Sequence, residues 1–478
     1  MLTPRPRTSV LAALLFLLPI GGSATAQPAI VEAAAPLPAA AAEPPPELLS
    51  RERLGPRLLQ LRFATEAMRD IRPGNPYADG TTGVRVLLPP GYDRQPGRRW
   101  PVLYLLHGCC DSAFSGRPES LGYRSWTERG QAEQLTEDAP FIVVMPDGLN
   151  AGWYADQYGA AGEGGPRVET YQLRQLVPWV DAHLRTDARR AARAVAGLSM
   201  GGYGAMSYAA RHPDLFSFAA SWSGAVDNGH DSYVYPVPSP TTSDGVTVLD
   251  LRAPSGTWGV RALHEVRARM HNPVDLAENL RGLALVLRTG DGRKPDGSTD
   301  SVEAGVHDES ATLHRRLLEM QIPHEWDDYG AGEHTWPHFS RGLAQLVGPL
   351  TRHFDRGVKA PAAFSYLVGE ERSDVHGYRL AADRPHLELA RWELSPMRIA
   401  VRGSGDQLVT TPRLYRPFGR YRITATRNGQ RQVLQTTADG TGRLSLRLRT
   451  DRVSSGQQFR TGTTTRLNTV DVLVEHAS

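Results

Sequence analysis

The residues best suited to chemistry lie around Ser199. The run Ala194-Val-Ala-Gly197-Leu-Ser199-Met-Gly201-Gly-Tyr-Gly-Ala-Met206 carries an apolar strand into Gly-x-Ser-x-Gly and then into a helix. Such a turn lifts the serine hydroxyl to the helix N-terminus, where the next backbone N–H, that of Met200, can stabilise an oxyanion. Gly197 and Gly201 let strand and helix approach without Cβ clashes. A second oxyanion donor is expected from the loop after an earlier strand. The stretch Pro101-Val-Leu-Tyr-Leu-Leu-His107-Gly108-Cys109 fits, through the N–H of Cys109 or of its neighbour. One such donor is worth about 2.7 to 4 kcal/mol of transition-state stabilisation. Gly-x-Ser-x-Gly recurs by chance, so its weight comes from the strand before it, the helix after it, and partners downstream in the order serine, acid, histidine.

The serine needs a base, and the Gly-rich segment Tyr329-Gly-Ala-Gly-Glu-His334-Thr-Trp336 supplies His334 in a loop after the strand pattern His324 to Asp328. His338 lies four residues on and offers a metal pair as the rival reading. No third ligand or metal-type motif accompanies it, so His338 reads as a pocket or surface residue and no metal or organic cofactor is expected. The acid that orients the imidazole should follow the strand Leu283 to Arg288. Asp291 and Asp296 lie in the loop that follows, with Asp300 and Glu303 further on, and spacing alone does not choose among these four carboxylates. Asp296 is favoured over Asp291.

The elements that must position these groups repeat a pattern. Between about Arg57 and Arg356, short apolar runs (Val84 to Leu88, Val102 to Leu106, Phe141 to Met145, Ala194 to Ala196, Phe216 to Ser221, Leu283 to Leu287) alternate with helical stretches. Glu169 to Leu184 is amphipathic, and Met206 to Arg211 continues a helix stopped by His212-Pro213. The alternation predicts a mostly parallel sheet flanked by helices over residues 51–358, an α/β class. A Pro-, Ser- and Gly-rich excursion between Ala225 and Asn279 is read either as a pocket or lid or as a surface loop. Beyond Ala360, strict alternation in Arg443 to Arg449 and the hairpin signal Asn428-Gly429 between Tyr421 to Thr426 and Gln432 to Thr436 predict a second unit over 360–478, an all-β sandwich.

These residues resemble the esterase family that includes esterase D and the mycolyltransferases of actinobacterial envelopes. The likeness runs from about Val84 to Leu350 and rests on Tyr104-Leu-Leu-His-Gly108, Gly152-Trp-Tyr-Ala-Asp156 with Glu169-Thr170, Gly197-Leu-Ser-Met-Gly201 and His334-Thr-Trp336. It implies an α/β-hydrolase fold, Ser199 as nucleophile, His334 as base and the N–H groups of Cys109 and Met200 as oxyanion hole. Aligning the family's glutamate loop without a gap implies Asp296 as the acid. Mycolyltransferases place Asp and Arg around the first oxyanion donor to hold trehalose, whereas this chain has His107 and Cys110 there. The expectation is therefore a serine carboxylesterase, with acyl transfer to an envelope sugar or glycerol acceptor as the alternative. A non-catalytic envelope-binding protein on the same fold is the reading from another class. His107, Trp153, Tyr154 and Trp336 are candidate pocket residues; for the three aromatics a place in the core is the competing reading.

Arg5 and Arg7 precede the apolar stretch Val10 to Ile20, and Ala24-Thr25-Ala26 offers a small-x-small cleavage site. Residues 1–26 thus read as a signal peptide, predicting export with cleavage near Ala26 and no integral membrane contact. Residues 27–50, rich in Ala and Pro, read as a flexible spacer. The 478-residue chain carries 54 basic and 51 acidic residues, a formal charge of +3, which gives no argument for nucleic acid. Only Lys294 and Lys359 are lysines, and the arginines form no tract in sequence. Two cysteines exclude a disulfide-dense scaffold. The adjacent Cys109-Cys110 are either a vicinal disulfide or free thiols. The expected partner is a small-molecule, lipid or glycan ester, with envelope association through the C-terminal unit.

Overall fold

The strands Val102–Leu106, Ile142–Pro146, Arg193–Leu198 and Phe218–Trp222 are buried along their whole length, as unbroken apolar runs must be when both faces of a parallel sheet are covered. The computed structural model describes residues 29–69, 78–109, 122–158, 165–229, 257–259 and 261–477. The expected signal peptide, Cys110 and most of the 225–279 excursion lie outside the described residues.

The first ten strands are β1 (Val31–Ala33), β2 (Glu47–Arg53), β3 (Leu58–Ala64), β4 (Thr81–Leu87), β5 (Val102–Leu106), β6 (Ile142–Pro146), β7 (Arg193–Leu198), β8 (Phe218–Trp222), β9 (Ala284–Thr289) and β10 (Glu325–Asp328). Nine of them form one sheet in the order β10-β9-β8-β7-β5-β6-β4-β3-β2. Strands β5 to β10 pair parallel, whereas β4 is antiparallel to β6 and β2, β3 and β4 form an antiparallel edge. This is the α/β-hydrolase arrangement. The order β6-β5-β7 makes the chain reverse direction across the sheet at β5, and such a switch point opens a crevice at the carboxyl ends of the strands.

Side chains alternate between the two faces of this sheet. Val102, Tyr104, Leu106, Val144 and Val195 join the core under the helices Thr170–Leu176, Val177–His183 and Met200–Arg211. Leu103, Leu105, Val143, Ala194 and Ala196 join the opposite core, covered by Phe339, Leu343, Leu346 and Leu350 of the helix Trp336–Arg356.

From Phe364 onward the chain supplies four strands to one antiparallel sheet and all six to another, and the two close on one core that includes Tyr366, Trp392, Val401, Ile423, Leu446 and Val472. Asn428-Gly429 makes the expected two-residue turn between Arg420–Arg427 and Gln430–Thr437, with φ of 49° and 78°, as the hairpin twist demands. The segment 27–50, expected to be a flexible spacer, instead carries strand. β1 pairs with residues 446–448 of the strand Ser445–Arg449, and Ile30 and Val31 enter the sandwich core. β2 forms the outer edge of the large sheet. The few apolar residues among the alanines and prolines suffice, because an exposed sheet edge supplies ready-made backbone partners.

The two units are tied by Arg211 to Glu370 at 2.6 Å, Arg391 to Glu278 at 2.6 Å, and Asn279, whose amide nitrogen donates to the Leu367 carbonyl while its oxygen accepts from the Leu367 N–H.

Candidate active site

Ser199 directly follows β7 and sits at φ 53°, ψ −124°, a left-handed conformation that costs energy for a residue with a Cβ. The neighbourhood enforces it. Ser199 N–H donates to Trp222 O at 2.9 Å and its carbonyl accepts from Tyr203 N at 3.0 Å, so the residue is stitched to β8 on one side and to its own helix on the other. A Cβ on Gly197 would lie 2.3 Å from Gly201 O, and one on Gly201 would lie 2.5 Å from His107 O. Glycine is required at both positions by close approach. Met200 opens the helix Met200–Arg211, so its N–H is among the first-turn donors that no intrahelical acceptor reaches.

The loop after β5 lies against this turn: a Cβ on Gly108 would come within 3.3 Å of the Ser199 Cβ. Its backbone is held by His107. Gly148 N donates to Nε2 of the ring at 2.7 Å, so the ring proton resides on Nδ1, which donates to Gly108 O at 2.6 Å. In a trans peptide the carbonyl and the following N–H point in opposite directions. Fixing the Gly108 carbonyl therefore fixes the direction of the Cys109 N–H. Tyr154 Oη donates to His107 O at 2.9 Å and steadies the same loop from beneath. Cys109 is disulfide-bonded.

Opposite, the loop after β10 carries His334. Its Nδ1 lies 2.8 Å from Oε2 of Glu303, a carboxylate with a fully buried side chain on the first turn of the helix Ser301–Glu319. The second oxygen of Glu303 accepts from Ser223 Oγ at 2.7 Å and Gly290 N at 2.8 Å, so the carboxylate is locked to the ends of β8 and β9. Burial works against its charge, but the bonds from His334, Ser223 and Gly290 outweigh that and hold the Glu303 carboxyl below its ordinary range. Asp300 caps the same helix through Val302 N and Glu303 N, and its other oxygen accepts from His334 N at 3.0 Å. One carboxylate thus fixes the backbone of His334 and the other its ring.

The structure does not bring the expected acid, Asp296, to His334. Asp296 is exposed and turns back on Ser298, from which its Oδ1 accepts two bonds. Asp291 folds likewise onto Arg293. Neither meets His334, because both lie in the loop before the helix, whereas the helix start carries Asp300 and Glu303 into the sheet edge. A sequence signal existed: Asp300-Ser-Val-Glu303 has the spacing of a helix capping box. Glu303 does not close that box, and its side chain serves His334 instead.

The four candidate pocket residues lie in the packing around the turn. His107 is buried with both ring nitrogens bonded to backbone, as described. Tyr154 is buried, and its ring fills the space a Cβ on Gly204 would need. Trp153 packs edge-on to Tyr203 and beside Trp258. Trp336 stands edge-on to Trp126, whose indole N–H holds Leu106 O at 2.9 Å. His338 stacks on Tyr329 at 5.5 Å, and among the described residues no group of three His, Cys, Asp or Glu could hold a metal ion. The motif residues Asp156 and Glu169 are also structural. Asp156 accepts from Thr170 N at 2.9 Å, and Glu169 faces Arg211 at 3.1 Å and His212 at 2.6 Å.

The family model described as "Putative esterase" matches residues 76–350. Esterase Rv1288 of Mycobacterium tuberculosis is 36% identical over 288 residues, 60% of this chain and 57% of that protein. An endo-1,4-beta-xylanase/feruloyl esterase of Xylanibacter ruminicola is 33% identical over 175 residues, 33% of this chain and 22% of that protein. Diacylglycerol acyltransferase/mycolyltransferase Ag85B of Mycobacterium leprae is 32% identical over 136 residues, 28% of this chain and 38% of that protein. The chain spans about half the length of the first curated relatives it matches.

Proposed function

The chain belongs to the Esterase family, and from that membership we propose that it is an exported serine esterase acting on a carboxylic ester of a small molecule, lipid or glycan. Ser199 Oγ attacks the ester carbonyl while His334 takes its proton. The oxyanion is held by the N–H groups of Met200 and Cys109, the C–O bond breaks, and His334 returns the proton to the leaving alcohol. Water, deprotonated by the same imidazole, then releases the acid from the acyl-enzyme. Glu303 keeps the imidazole proton on Nδ1 and stabilises the imidazolium as it forms.

The observation that carries this reading is the buried Glu303–His334 bond of 2.8 Å, attached through Ser223 and Gly290 to strand ends beside the strained Ser199. A histidine that only packed would need no buried carboxylate with every oxygen engaged. Transfer of the acyl group to an acceptor alcohol is the second reading, favoured by the likeness to the diacylglycerol acyltransferase/mycolyltransferase. Hydrolysis is preferred, because His107 at the site of a mycolyltransferase acceptor contact has both ring nitrogens committed to backbone. Export with cleavage near Ala26 and envelope contact through the sandwich belong to the same proposal. No helix of the described residues is long and apolar enough to cross a membrane.

Labelling with a fluorophosphonate and turnover of p-nitrophenyl esters of graded chain length test the reading. Wild type should label and turn over, and Ser199→Ala should do neither. Equal labelling of both proteins would refute the nucleophile, and turnover that requires added glycerol or sugar would favour transfer. Secreted protein beginning near Gln27 would support export.

A further inference from the structure

The sandwich carries a cleft of about 490 Å³ lined by Arg402, Arg452, Gln458, Thr465, Arg466 and Leu467. We propose that it binds an anionic group on a glycan, a uronate carboxylate or a sugar phosphate, independently of the ester chemistry.

Two observations support this. The first is charge. None of the three arginines is paired with a carboxylate among the described residues, and no lining residue is acidic. Arg391, Arg398, Arg427 and Arg447 of the same unit are paired with carboxylates, several others are not, and what sets Arg402, Arg452 and Arg466 apart is that they meet at one cleft. Residues 361–478 hold 18 arginines and 11 acidic residues, whereas the whole chain is nearly balanced. The three arginines are exposed, so water screens their mutual repulsion, and what they offer an oxyanion is three cationic donors converging on one place. Guanidinium groups also match the planar geometry of carboxylate and phosphate oxygens, which ammonium groups do not.

The second is construction. The cleft is assembled from three places in the chain and each is anchored. Arg402 stands on the strand Arg398–Gly403, opposite Thr469 of the strand Asn468–His476. Arg452 is held by its carbonyl, which accepts from Gly405 N at 2.7 Å. The long connection that carries Gln458, Thr465 and Arg466 is fixed by Gln458, whose N–H donates to Leu387 O and whose side-chain oxygen accepts from Leu389 N at 2.8 Å. It is tied again by Ser455 to Thr464 and by Asn468 Nδ2 to Thr450 O. A volume near 490 Å³ lies in the range of small-molecule sites and suits one or two sugar rings. The Gln458 amide and the Thr465 hydroxyl can meet sugar hydroxyls, and Leu467 offers an apolar edge to a ring face.

The test is calorimetric titration of the full chain with tri-galacturonate, with glucose 6-phosphate and, as neutral control, with maltotriose. The proposal expects at least one anionic ligand to bind, the neutral one to bind at least tenfold more weakly, and affinity to fall as salt rises. Binding of the uronate alone or of the phosphate alone identifies the source of the charge. R466A alone should weaken binding at least threefold. The triple variant R402A/R452A/R466A should abolish it while p-nitrophenyl ester turnover and the melting temperature stay within error. If the triple variant does not fold, R466A and R402A decide. No binding of either anion, equal binding of maltotriose, unchanged affinity in the variants, or stronger binding of an oligonucleotide than of any glycan would overturn the proposal.

Discussion

Oε2 of Glu303 lies 2.8 Å from Nδ1 of His334 across 31 residues of chain, with the carboxylate side chain buried and the imidazole partly open to solvent. Burial alone would raise the carboxyl pKa, yet it is lowered, because Ser223, Gly290 and His334 all direct hydrogen-bond donors at the ionised form. Its location on the first turn of a 19-residue helix adds the favourable end of the helix dipole. Glu303 is thus a fixed negative charge that determines which nitrogen of His334 faces outward.

Glu303→Gln should therefore lower kcat for p-nitrophenyl ester hydrolysis by about 10²- to 10⁴-fold, because an amide no longer favours the imidazolium or the correct tautomer. Asp296→Asn should change kcat less than about twofold, as an exposed residue away from His334. Reversed magnitudes would return the role to Asp296.

His107→Gln tests the support of the oxyanion loop. Losing the bond to Gly108 O frees the peptide that aims the Cys109 N–H, so kcat should fall about 10- to 100-fold while KM changes little, a part of what one full oxyanion donor is worth. An equal fall in melting temperature and in labelling, with kcat per labelled site unchanged, would make His107 a folding residue only.

His271 makes a pH prediction. Its ring is buried and lies near Arg211; burial and that charge push its pKa from 6.5 down to about 4 despite Glu169 and Glu370 close by, while Nδ1 donates to Arg267 O. The folded state thus binds the proton less readily than the unfolded chain. The stability this group contributes is complete above pH 6.5 and declines as pH falls toward 4, by about 1.4 kcal/mol per pH unit. Urea denaturation at pH 7 and pH 5 should show this slope, and His271→Gln should flatten it. An unchanged slope in the variant would assign the acid sensitivity elsewhere.

Val31 is fully buried in the sandwich core although it lies far from that unit in sequence. Val31→Asp should destabilise the sandwich by about 3 kcal/mol or more, because an unpaired carboxylate would replace a methyl-lined contact. Glu32→Ala, on the outer face of β1 beside Arg449, should cost about 1 kcal/mol or less. Thermal unfolding monitored by near-ultraviolet circular dichroism separates the two.

The sequence by itself determined the features written in local pattern. Gly197-Leu-Ser199-Met-Gly201 requires a tight strand-helix turn whatever surrounds it, the buried apolar runs require a covered parallel sheet, and Asn428-Gly429 requires a hairpin. His334 was legible because a Gly-rich loop after the last strand has one histidine at its tip. Glu303 was not, since four carboxylates near one another in sequence are equivalent until a helix start turns one inward and leaves Asp296 in solvent. The same limit hid the partner of β1, some 415 residues away, and the meeting of Arg402, Arg452 and Arg466. Local sequence fixes backbone conformation and periodicity over a few residues. Which side chains share a cavity, and so which charges are paired, buried or left facing one another, depends on contacts between distant segments, and only the tertiary structure decided those.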